Sequence, residues 1–189
     1  MSLLKYSKMP FSFQDGWEQV YAEHPSVWKT FLFVVLPFSM LAPAMLIYAG
    51  HHHAASYLMD GSPELWRAVA LTFFIGELVT VPLMGWVILQ VASVHGIDAH
   101  FRDTFLLAAI MSIPMCLSSL GLAIPSLWIM IGIVVLGFVI AAALLYHGAY
   151  YILGLRDPMQ AQSLGSEVFA TGGLVWALLA GFVLVTLMR

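Results

Sequence analysis

Five runs of apolar residues, at about 27–49, 65–93, 104–123, 126–153 and 168–188, are separated by short polar connections. A helix needs about 20 residues to cross the roughly 30 Å of bilayer hydrocarbon, and every run is long enough. Within them apolar residues are continuous rather than alternating, a pattern that predicts spanning helices and not barrel strands. The connections read GHHHAASYLMDGSPE, VHGIDAHFRD, GLAIPS and GLRDPMQAQSLGS. None has room for an extramembrane domain. The pattern therefore predicts an all-α integral membrane bundle of five transmembrane helices.

Ahead of the first run the period changes. Phe13, Trp17, Val20, Tyr21 and His24 recur at helical spacing, opposite Asp15, Glu18, Gln19 and Glu23. This predicts a short amphipathic helix over 13–24, opened by a capping box at Ser12 and Asp15 and stopped by Pro25. Its acidic polar face is poorly suited to anionic headgroups, so its apolar face is expected to pack on the bundle, with partner docking as the alternative. The chain thus divides into an N-terminal segment, 1–26, and a five-span domain, 27–189.

Composition agrees with this division. Of 189 residues, 61% are hydrophobic and only 9% charged, against about 25% charged in soluble domains. A net charge of −3 offers no basic patch for nucleic acid. Cys116 is the only cysteine and lies in an apolar run, which excludes a disulfide framework or cysteine-rich metal site. The opening residues lack an early apolar core and a small-residue cleavage site, so the first span is expected to remain in the mature chain. With the N-terminus in the cytoplasm, Lys5, Lys8, Lys29, Arg102 and Arg156 fall inside and Arg67 and Arg189 outside. The positive-inside rule favours that orientation.

Three stretches together carry a family resemblance: GWEQVYAEHPSVWKTFLFVVLPFSMLAPAMLIYAG, IDAHFRDTFLLAAIMSIPMCLSSLGLAIPSLWIM and LLYHGAYYILG. In order and spacing they resemble the bacterial inner-membrane branch of the Yip (Ypt-interacting protein) domain family, from about Gly16 to the last span. The resemblance implies a five-helix bundle with a cytoplasmic N-terminus. Eukaryotic relatives are associated with membrane traffic and small GTPases. This chain lacks their long N-terminal region and DLYGP-like segment, so a GTPase partner does not carry over. The expected partners are membrane lipids and either another membrane protein or a second copy, and no cofactor is expected.

Depth singles out the candidate site residues. Mid-membrane lies about ten residues from an interface. Counting from Arg67 reaches Glu77, from Lys29 reaches Ser39, and from Arg102 reaches Ser112 and Pro114. In the last two spans the same count reaches Gly137 and Ala177. Pro37, Pro82 and Pro114 would free the carbonyls of Phe33, Leu78 and Ile110. Without a cation at that depth, a neutral Glu77 is the expected form. Two roles follow: a clasp hydrogen-bonded to Ser39, Ser112 or a freed carbonyl, or a carboxyl that exchanges a proton or coordinates a substrate.

Other polar residues carry less chemistry. His51, His52 and His53 are weak metal candidates, because adjacent imidazoles do not readily share one tetrahedral ion; Asp60 and Glu64 in the same connection would have to assist. His147, in YHGAYY, reads as part of an interfacial aromatic belt. Glu167 reads as a charge at the positive end of the fifth helix. Gly173, Ala177 and Gly181 form a small-xxx-small stripe, expected to admit a neighbouring helix of the same bundle. No nucleophile elbow, zinc-protease helix or phosphate loop occurs. The leading expectation is a non-enzymatic inner-membrane protein that organises or binds partners in the bilayer. A small transporter or channel using Glu77 is the alternative.

Overall fold

The computed structural model describes residues 16–22, 25–57, 61–155 and 157–188. Among them every regular element is helical. The N-terminal helix α1 spans Trp17–Ala22. The first span, Val27–His52, is assembled from α2 (Val27–Thr30), a π-helical turn (Phe31–Val35), α3 (Leu36–Ser39) and α4 (Leu41–His52). Helices α5 (Pro63–Val94), α6 (Phe101–Ser118), α7 (Leu127–Ile152) and α8 (Pro158–Leu187) follow. All five spans predicted from the apolar runs are present.

Local chemistry explains the boundaries. Ser62 caps α5 by accepting from the Leu65 N–H at 3.3 Å, and Asp157 caps α8 by accepting from Met159 at 2.9 Å. Helices α5 and α7 end in Schellman motifs at Gly96 (φ +71°) and Gly154 (φ +63°). There the Ile97 N–H returns to the Ala92 carbonyl and Leu155 to Tyr150. Ahead of Pro37 the Leu36 N–H bonds the Phe31 carbonyl five residues back. This wide turn absorbs the proline that the sequence places in the first span.

The fifth helix starts at Pro158 rather than near 168. Ala161, Leu164 and Val168 are fully buried at helical spacing while Gln160, Gln162, Ser163, Ser166 and Glu167 are exposed. This amphipathic stretch continues the helix beyond its hydrocarbon-length segment.

Helix α6 lies at the centre, packed on the first span, α5 and α7, while α8 packs on α5 and α7. The first span also leans on α5. Close approaches fall at small residues: a Cβ on Gly85 would stand 3.0 Å from the Phe105 Cα, and one on Gly137 would stand 3.1 Å from the Pro114 carbonyl oxygen. The main core fills the half of the bundle near α1, around Ile88, Phe105, Leu107, Leu145 and Leu164. A smaller cluster around Trp66, Tyr57 and Leu187 fills the opposite end. There Tyr57 donates its hydroxyl to the Ile124 carbonyl at 2.6 Å.

Helix α1 packs as its apolar face predicts. Trp17 is fully buried, and Gly148 and Leu107 border its indole closely. Tyr21 meets Tyr151 edge-on at 6.2 Å. The expected Ser12–Asp15 capping box, Phe13, Glu23 and His24 lie outside the described residues, as do Lys5, Lys8, Asp60, Arg156 and Arg189.

Candidate functional site

Within α5, Phe73, Glu77, Thr80, Val81 and Met84 fall on one face at three- and four-residue steps. In α6, Ala108, Met111, Ser112, Met115 and Cys116 do the same. These two faces and the inner sides of α7 and α8 enclose a cavity of about 100 Å³. It exists because α6 and α8 each pack on α5 and α7 but barely on one another. The aromatic wall opposite α6 is a chain of edge-to-face contacts: Phe138 meets Phe169 at 5.8 Å and Trp176 at 4.7 Å. Phe169 also borders a cleft of about 370 Å³ between α7 and α8, with Tyr146, Gln162 and Ser166.

Among the described residues, Glu77 is the only acidic or basic one on this lining. The Cys116 thiol lies 3.7 Å from its Oε1, in position to donate a weak hydrogen bond. Its Oε2 is buried and has no hydrogen-bond partner among the described residues. Neither serine expected to clasp Glu77 bonds to it. Ser112 lines the cavity, but its hydroxyl donates to the Ala109 carbonyl of its own helix at 2.8 Å. Ser39 is buried in α3 and is absent from the cavity lining. Ser118 and Ser119 likewise turn back to Met115 and Cys116 carbonyls at 2.6 Å each. Short hydroxyl side chains on a helix reach a carbonyl three or four residues back, which removes them as interhelical donors.

Cys116 is a site residue that a reading of its lone thiol against disulfides and metal clusters alone does not single out. The signal was available, because it stands one helical turn after Ser112 on the same face.

The remaining candidates distribute elsewhere. The close contacts of α8 with α5 use Gly172, whose Cβ would lie 3.1 Å from Met84, and Gly76, whose Cβ would lie 2.8 Å from Leu179. The Gly173–Ala177–Gly181 stripe does not make them. A Cβ on Gly173 or Gly181 would meet nothing within 4 Å, and Ala177 is exposed. The stripe is rotated off the packed face: Gly173 borders the cavity and Gly181 faces open space.

Glu167 is not at a helix start, since α8 begins at Pro158; its Oε1 lies 3.1 Å from His95 Nε2 just beyond α5. His52 Nδ1 lies 3.0 Å from the Tyr48 carbonyl, and the His52 ring stacks on Tyr48 at 4.3 Å. Among the described residues no three His, Cys, Asp or Glu side chains are grouped so that they could hold a metal ion. His147 Nδ1 lies 2.7 Å from the Ala143 carbonyl of its own helix.

Compared with known proteins, the chain matches the family model of the Yip1 domain over residues 8–186. No curated protein and no solved structure matches it.

Proposed function

The chain belongs to the Yip1 domain family, and on that premise we propose that it is a non-enzymatic protein of the bacterial inner membrane that binds a partner within the bilayer. The partner is a small apolar molecule seated at the Glu77 cavity. The distribution of Lys and Arg supports a cytoplasmic N-terminus. One observation carries the reading: Glu77 Oε2 is buried beside an apolar cavity with nothing to bond. A polar atom left so in hydrocarbon costs about 1–3 kcal/mol, a cost that a bound molecule supplying the partner would remove.

The lining does not suggest catalysis. Among the described residues it offers one carboxyl, one thiol, two hydroxyls and the indole of Trp176, without an imidazole or amine to serve as a base. Apolar and aromatic walls with a few placed polar groups are the common make-up of a ligand site.

Native mass spectrometry of the full chain, released from membranes in mild detergent, tests the reading. The wild type is expected to carry an apolar adduct that Glu77→Leu loses while remaining monodisperse. A wild type without adduct, or an adduct indifferent to Glu77→Leu, would overturn it. Transport makes a different demand, a water path to mid-depth. In a Cys116→Ala background, rapid reaction of Ser112→Cys with a water-soluble thiol reagent would favour transport over binding.

A further inference from the structure

The polarity of the Glu77 site narrows the ligand class, on the premise that the cavity binds an apolar molecule. The thiol of Cys116 faces Oε1 at 3.7 Å. With the thiol as donor, Oε1 is the acceptor, the part that the carbonyl oxygen of a neutral carboxyl group fills best. Among the described residues no Lys, Arg or His lines the cavity, and an unpaired carboxylate is strongly disfavoured at this depth. The neutral acid then carries its proton on Oε2, the oxygen without a partner. The site is therefore missing an acceptor rather than a donor.

Size sets a second limit. About 100 Å³ is less than the roughly 150 Å³ of an apolar cavity that admits benzene. A whole lipid does not fit; one end of a molecule does, and Phe169 borders both this cavity and the cleft between α7 and α8. We infer that the cavity recognises the uncharged, oxygen-bearing end of a bilayer-dissolved carbonyl compound, through a hydrogen bond donated by Glu77 Oε2. Thr80 and Ser112 on the lining leave room for little else that is polar, and the aromatic wall covers the adjoining carbons.

Three diazirine-bearing probes of equal chain length test this on the full chain in lipid nanodiscs: a 2-ketone, the alkane and the primary amine. Photo-adducts are mapped by mass spectrometry. The ketone is expected to label the cavity faces of α5, α6 and α8 roughly tenfold more than the alkane or amine, as one directed hydrogen bond allows. Glu77→Gln keeps a donor in its amide and should retain most of that labelling. Glu77→Met should reduce ketone labelling to the alkane level. Equal labelling by ketone and alkane would overturn the carbonyl inference and leave the cavity-binding reading standing. Preference for the amine would also overturn it, because it would require an ionised Glu77. Cavity labelling by none of the probes would remove both. If Glu77→Met is not monodisperse, the ketone-to-alkane ratio on the wild type decides alone.

Discussion

Helices α6 and α8 are nearly matched in hydropathy, yet 67% of the apolar window of α6 is buried inside the protein against 11% for α8. In water such a difference would show in the sequence as a polar outer face. In a bilayer both environments are apolar, so hydropathy cannot separate a central helix from a peripheral one. What separates them is steric. The neighbours of α6 bring Gly85 and Gly137 to within contact of its backbone, whereas α8 touches α5 through Gly76 and Gly172 and leaves its next face open. The cavity is a product of that asymmetry, since the loosely held helix forms the wall opposite the tightly held one.

The comparison is broken most severely by Leu107→Ala. Leu107 on α6 is fully buried beside Trp17 and Gly148, and the void should cost about 2–5 kcal/mol, measured as reversible unfolding in detergent. Gly85→Ala comes next. Its methyl would approach the Phe105 backbone at 3.0 Å, where no rotamer change gives relief, so a loss of about 1–3 kcal/mol is expected. A cost no larger than that of an open-face substitution would show that α5 and α6 are not in close contact.

Tyr57→Phe tests the tie between the first connection and the turn that follows α6. Losing the hydroxyl donated to Ile124 should lower stability by about 1 kcal/mol near neutral pH. This phenol also has a pH signature. Burial raises its pKa above the ordinary 10.0, because the charged form is disfavoured away from water. The folded chain therefore holds the proton to higher pH than the unfolded chain. The resulting contribution is complete below pH 10.0, and it falls as pH rises from there through the folded-state value. The wild type should lose stability more steeply than Tyr57→Phe in alkaline unfolding curves.

The smallest effect belongs to the open face. Gly181→Ala adds a methyl that meets nothing and should change stability by less than about 0.5 kcal/mol. A large loss would place a second molecule or helix against α8 and sharpen the comparison in a different direction.

For the site, periodicity alone could have gathered most of the lining. Glu77 with Thr80 and Met84, and Ser112 with Cys116, share helical faces that can be read from spacing. Which helices those faces meet could not be read, because apolar spans carry no polar side to orient them. The partners of the hydroxyls were also hidden. Whether Ser112 reaches across to Glu77 or back to Ala109 depends on interhelical distances, and the intrahelical carbonyl is always nearby.

By itself the sequence determined the number and type of the spans and the short connections, and it favoured a packed amphipathic helix. Those follow from the cost of exposing backbone and charge to hydrocarbon, which acts on each segment locally. It also sets Glu77 ten residues from Arg67, the only Lys or Arg of its apolar run, at an expected mid-depth. Tertiary structure decided what surrounds that carboxyl: a thiol on one oxygen, an apolar cavity beside the other, and serines turned away. Between helices the driving forces are close packing and a few hydrogen bonds, and both are properties of pairs of segments rather than of any segment alone.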